Sequence, residues 1–133
     1  MNALFDTNVL IAAFVTDGLC ARILRRARNG EFKLVLGIPV LEEFRRILKR
    51  KFMFSDEEIS FFSSIIEEAA TVFRSAGFVA GVCRDPDDDA VLACAAESGA
   101  DYLVTGDKDL LVLGYYGKTK ILTPREFEIL FVN

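Results

Sequence analysis

Short apolar runs ending in acidic or turn-forming residues alternate along this chain with segments whose apolar residues recur at helical spacing. Strands and helices in alternation form βαβ units, and these build a mainly parallel sheet covered by helices on both faces. The runs are Asn2 to Asp6, Phe32 to Leu36, Tyr102 to Thr105 and Ile121-Leu122. Apart from Lys33 near its start, Phe32 to Leu36 is an apolar run of the kind that forms a strand buried on both faces. Between the runs, a helix starts near Val9 with Thr7 or Asn8 as its cap, a second lies between Gly18 and Gly30, and a third runs from Pro39 to about Lys51. Ser55 and Glu58 make a capping box for a long helix through about Phe73, with Ile59, Phe62, Ile66 and Ala69 or Ala70 at helical spacing. Thr71 to Val82 is ambiguous, and part of it fits another strand. Asp85-Pro86 opens a helix to Gly99, and Thr123-Pro124 opens a last one.

With 133 residues, 52% of them hydrophobic, the chain can bury one real core, whereas two domains would each be too small. The expectation is one α/β domain over residues 1–133. No apolar run approaches the roughly 20 residues that span a bilayer. Met1-Asn2 leads straight into a strand instead of a signal core, so a cytoplasmic protein without membrane association is expected. Cys20, Cys83 and Cys94 form no Cys-x-x-Cys pair, and the chain has no histidine to complete a zinc set or activate a thiolate. They read as reduced, largely buried small hydrophobes.

Four acidic stations stand out: Asp6 at the end of the first strand, Glu43 on the third helix, Asp88 within Asp85-Pro86-Asp87-Asp88-Asp89, and Asp107 after Thr105-Gly106. A carboxylate at a strand end or on an apolar helix face must be neutralised or shift its pKa. A shared divalent cation is the simplest partner, and all-carboxylate oxygen sites suit Mg²⁺ or Mn²⁺. Asp6 could merely cap a turn, but Thr7 and Asn8 can do that. Glu43 lies three residues after Val40 and four before Ile47, at the edge of the apolar stripe, while Glu42 neighbours Arg45 and Arg46 and should be solvated. Asp85 suits an N-cap and Asp87 the helix dipole. Asp88 shares its face with Val91, Leu92 and Ala95, and Asp89 a weaker one with Leu92, Ala93 and Ala96, so Asp88 is the favoured ligand. Thr105 offers a hydroxyl to orient Asp107 or a water, and Asp109 suits a cap of the next turn. In parallel α/β sheets such groups gather beyond the strands' carboxyl ends, where strand order reverses.

The net charge of −4 argues against indiscriminate nucleic-acid binding, but basic residues cluster at Arg22, Arg25, Arg26 and Arg28 and at Arg45, Arg46, Lys49, Arg50 and Lys51. These are either solvated faces or contacts to a phosphodiester backbone. Phe61, Phe62, Ile65 and Phe73 read mostly as core, with any excess available for a dimer contact.

The segments Leu4-Phe5-Asp6-Thr7-Asn8-Val9-Leu10-Ile11, Leu41-Glu42-Glu43-Phe44-Arg45-Arg46-Ile47-Leu48, Cys83-Arg84-Asp85-Pro86-Asp87-Asp88 and Ala100 to Leu110 together resemble the motifs of PIN-domain proteins, as does the closing Ile121 to Phe127. The resemblance implies a three-layer α/β/α sandwich with a mainly parallel sheet of about five strands in the order 3-2-1-4-5. It places Asp6, Glu43, Asp88 and Asp107 on the family's acidic quartet and Asn8 and Thr105 on accessory polar positions. It also implies a metal-dependent endoribonuclease leaving 5′-phosphate and 3′-hydroxyl ends, the toxin of a toxin–antitoxin pair, with an antitoxin partner and a homodimer. Asp85, Asp89 and Asp109 are further accessory candidates, and the number of metal ions stays open. Two rivals are a non-catalytic PIN-like RNA- or protein-binding module and a haloacid-dehalogenase-type phosphatase. The phosphatase needs a second aspartate two residues after the nucleophile, where this chain has Asn8.

Overall fold

The computed structural model describes residues 1–74, 81 and 83–132. Strand β1 (Asn2–Phe5) lies inside the sheet and pairs in parallel with β2 (Lys33–Gly37) and with β4 (Tyr102–Val104), Leu4 facing Val35 on one side and Leu103 on the other. Beyond β2 lies β3 (Ala70–Phe73), and beyond β4 lies β6 (Thr119–Leu122), both parallel. A two-residue strand, β5 (Tyr115–Tyr116), pairs antiparallel with β6. The order is β3-β2-β1-β4-β6-β5. Without β5 this is the expected five-strand order; Tyr115-Tyr116 is too short to carry a strand pattern, and Gly117 in the left-handed region turns it back onto β6.

Helices α1 (Thr7–Val15) and α2 (Leu19–Arg28) join β1 to β2, and α3 (Ile38–Arg50) and α4 (Asp56–Ala69) join β2 to β3. After β3 the chain reverses direction across the sheet, through α5 (Pro86–Ser98) to β4 and then α6 (Lys108–Leu111), with α7 (Pro124–Ile129) following β6. Right-handed crossovers put connections running in opposite directions on opposite faces, which makes the helices two outer layers. Ala3, Leu4 and Phe5 are accordingly buried on both faces. Phe32 meets Phe127 edge-on at 5.0 Å, and Phe14 stands 5.4 Å from Phe44, so aromatic contacts tie α1, α3 and α7 to the core.

Local signals account for most boundaries. Ser55 and Glu58 form the capping box of α4, Thr123 and Glu126 form that of α7, and Asp85 caps α5 ahead of Pro86. Gly99 ends α5 in the left-handed conformation. Two expectations need correction. Asp6 itself caps α1, which begins at Thr7, so neither Thr7 nor Asn8 does. Helix α4 stops at Ala69, because Ala70 to Phe73 pair with β2 as a strand. Residues 75–80 and 82 of the ambiguous stretch lie outside the described residues.

The apolar face of α4 is less deeply set than its composition implies. Ile59 and Ile66 are buried, Phe62 packs against the core, and Phe61 is exposed. Cys94 is buried and its thiol is pushed up to about 11 by burial, while Cys20 and Cys83 are only half-buried. No single helix among the described residues is long and apolar enough to cross a membrane.

Candidate active site

Strand order reverses between β1 and β4, and the residues just past their carboxyl ends are Asp6 and the Thr105-Gly106-Asp107 turn. Asp6 is buried. Its Oδ1 accepts the Val9 N–H at 3.0 Å, and its Oδ2 accepts the Thr105 hydroxyl. The Thr105 oxygen accepts in turn the Asp107 N–H at 3.0 Å. One hydroxyl thus links the two aspartates that end neighbouring strands. Burial raises the Asp6 carboxyl above its ordinary range, opposed by these hydrogen bonds and reinforced by the charge of Asp107.

Helices α3 and α5 complete a cleft of about 400 Å³ that Asp6, Glu43, Asp88 and Asp107 all line. The first turn of α5 divides the acids into two groups, because consecutive helical residues point in different directions. Asp88 turns towards the end of β4 with a carboxylate oxygen within 4.8 Å of one of Asp107; burial first, then the proximity and charge of Asp107 and the charges of Asp85 and Asp6, push its carboxyl up to about 7. Asp87 lies beside Glu43, on the α3 side of the cleft. Burial first, and then Asp87, raises the Glu43 carboxyl, while Thr7 and the Arg46 guanidinium, 4.0 Å away, hold it down. Carboxyl groups crowded in this way favour a shared proton or cation.

Asn8 and Asp85 also line the cleft, and Asp85 spends one oxygen on the Asp87 N–H as the α5 cap. Asp89 does not line it. Although buried, its carboxylate accepts the Cys83 and Gly81 N–H groups at 2.9 and 3.2 Å, holding the segment that enters α5. Asp109 receives the Arg84 guanidinium at 2.9 and 3.0 Å.

Asp87, Arg46 and Arg84 were not legible as site residues. Asp87 is indistinguishable in sequence from a dipole-stabilising acid, Arg46 from one more charge in a basic run, and Arg84 meets an acid 25 positions away. The basic cluster on α2 has partly structural work. Arg26 forms a two-pronged ion pair with Glu128 at 2.7 and 3.0 Å, also meets Glu31, and lies over the Phe131 ring. Lys49 pairs with Asp56 and Arg45 with Ser63.

A family model described as a PIN domain matches residues 2–109, a span holding all four acidic stations. The chain belongs to the PIN-domain family. PIN-like folds among solved structures include a chain of VapBC2 from Rickettsia felis bound to a DNA fragment from their promoter, at 16% identity and a TM-score of 0.64, covering 91% of this chain and 97% of that one. VapC20 from Mycobacterium tuberculosis, described as a sarcin-ricin loop cleaving toxin, matches at 13% identity and a TM-score of 0.60, covering 89% and 98%. At such identities the likeness is one of fold. No curated protein matches the chain by sequence.

The divalent metal associated with PIN-domain nucleases suits the donors present. One carboxylate oxygen from each of Asp88, Asp107 and Asp109 lies within 4.8 Å of the other two. Asp88 Oδ2 is sealed from solvent without a hydrogen-bond partner, and a buried carboxylate oxygen left so is costly unless a cation meets it. Every donor is a hard oxygen, as Mg²⁺ and Mn²⁺ prefer. Asp109 is the least available of the three, since Arg84 already neutralises it.

Proposed function

We propose that the chain is a Mg²⁺- or Mn²⁺-dependent endoribonuclease, with residues 1–133 as one nuclease domain acting in the cytoplasm as the toxin of a toxin–antitoxin pair. The observation that carries this reading is the unpartnered, solvent-sealed Oδ2 of Asp88 beside Asp107 and Asp6. Asp6, Asp88 and Asp107 hold the metal, with Glu43 contributing from the other side of the cleft.

When bound, the ion supplies an activated water for in-line attack on phosphorus and offsets the charge that builds on the phosphate oxygens. The chain's residues do the positioning. Thr105 keeps Asp6 and Asp107 in register through its hydroxyl, so their oxygens need no reorganisation when substrate arrives. Glu43, made more basic by burial and by Asp87, orients the attacking water and takes its proton. The bond from phosphorus to the 3′ oxygen breaks, leaving a 5′-phosphate and a 3′-hydroxyl that takes up a proton.

The cleft's acidity also fits an antitoxin that inserts a basic side chain among the carboxylates. Likeness of fold to VapC20, a toxin, and to a chain of VapBC2 favours such a partner, and we propose a homodimer as the assembly. Cleavage of RNA in the presence of Mn²⁺, with and without Asp6→Asn, tests the assignment. Asparagine keeps the helix-capping oxygen, so the variant should fold but neither cut RNA nor gain thermal stability from Mn²⁺. An Asp6→Asn protein that cuts as well as the wild type overturns it.

A further inference from the structure

Arg84 stands at the edge of the acidic cleft without a structural task that explains it. Its side chain is 86% exposed, and an ion pair so open to water contributes little to folding. A single nitrogen, Nη2, donates to both oxygens of Asp109. The guanidinium has five N–H donors, and those outside this contact have no acceptor among the described residues. Asp109 belongs with Asp88 and Asp107 to one group of carboxylates, so the arginine sits one side chain from two acids that line the cleft, within the field of Asp107.

A nucleic-acid strand entering this cleft brings its own negative charge to a crowd of carboxylates. A cation at the rim that can leave its partner at little cost meets that difficulty, and a guanidinium matches the oxygens of a phosphodiester better than an ammonium does. We propose that Arg84 binds a backbone phosphate adjoining the bond that is cut, with Asp109 holding the guanidinium beside Asp107 until the strand arrives. Asp109 is then the arginine's positioning residue and not a metal ligand. The inference rests on the nuclease reading and names a substrate contact for it.

The test uses the full chain, Mn²⁺ and a fluorescent RNA pool of randomised sequence. Cleavage is measured in the wild type and in Arg84→Gln and Arg84→Lys; binding is measured in the same pair of variants made on Asp6→Asn, so that RNA survives. Arg84→Gln should weaken binding about tenfold and flatten the slope of log affinity against log salt by about 0.7, the share of one phosphate on a single strand. Arg84→Lys keeps the charge without the fork and should retain the slope at intermediate affinity. Thermal stability and its rise with Mn²⁺ should stay unchanged in both, which separates substrate contact from a role in folding or metal binding. A wild type that cuts while Arg84→Gln binds with the same affinity and salt slope overturns the assignment of Arg84 alone. A wild type that does not cut, with an Asp6→Asn protein that does not bind the pool, overturns the nuclease reading and this inference together.

Discussion

Thr105 and Asp6, at the ends of neighbouring strands and 99 positions apart, are joined by a hydrogen bond from the hydroxyl of one to the carboxylate of the other. Because the same hydroxyl accepts the Asp107 N–H, it sets the spacing of two of the four converging acids. Thr105→Val keeps the shape and removes both bonds, leaving buried polar groups unsatisfied at a cost of about 1–3 kcal/mol. Urea denaturation should show that loss, and cleavage should fall tenfold or more, whereas Thr105→Ser should stay close to the wild type in both.

Asp88 should make the metal-free protein less stable as pH rises. Its carboxyl, pushed up to about 7, binds a proton more tightly in the folded chain than in the unfolded one. Stability from this group is therefore fully present at low pH, declines as pH climbs above the ordinary aspartate value, and is lost once pH passes about 7. Asp88→Asn removes the penalty. In the presence of a chelator it should melt above the wild type at about pH 8, with the gap closing towards about pH 4, while cleavage is abolished. An Asp88→Asn melting curve with no such pH-dependent gain counts against the burial and crowding of this carboxyl.

Metal addition should reverse the order of those two proteins. A ligand that binds only the folded state stabilises it by about 2.7 kcal/mol at a hundred times its Kd. Calorimetry with Mn²⁺ should show the wild-type Tm rising with concentration and falling back when chelator is added. Asp88→Asn should show little of either response.

The Arg26–Glu128 pair makes a contribution of the opposite sign. Glu128 is buried, and the Arg26 guanidinium, with Arg22 behind it, holds its carboxyl below the ordinary glutamate value. This stability is present above that ordinary value and is lost as pH falls through the lowered one. Glu128→Gln should melt below the wild type at neutral pH and converge with it in acid, as Tm measured against pH would show. The pair links α2 to α7, so the loss is one of packing between helices and leaves cleavage chemistry intact.

Some of the fold was readable because its causes are local. The capping boxes at Ser55 and Thr123, the Asp85-Pro86 helix start and the Gly99 stop each involve hydrogen bonds or backbone conformations within a few positions. The end of α4 was not readable in the same way. Ala70 to Phe73 could continue an apolar helix stripe, and only pairing with Leu34 to Gly37 makes them a strand. The first helix taught a similar lesson, since a residue needed at the cleft, Asp6, also serves as the cap.

For the cleft, helical spacing and strand ends were enough to direct Asp6, Glu43, Asp88 and Asp107 inward, because periodicity fixes direction relative to a buried face. Spacing could not say what each acid meets there. That Asp87 faces Glu43 and that Arg84 reaches Asp109 depend on how α3, α5 and α6 stand relative to one another. By itself, the sequence determined the alternating architecture and directed four of the cleft's carboxylates towards a common place, but it left out Asp87 and read Glu42, which also lines the cleft, as merely solvated. Only the tertiary structure decided their partners, because a carboxylate's charge, proton and ligand depend on atoms a few ångströms away that come from distant parts of the chain.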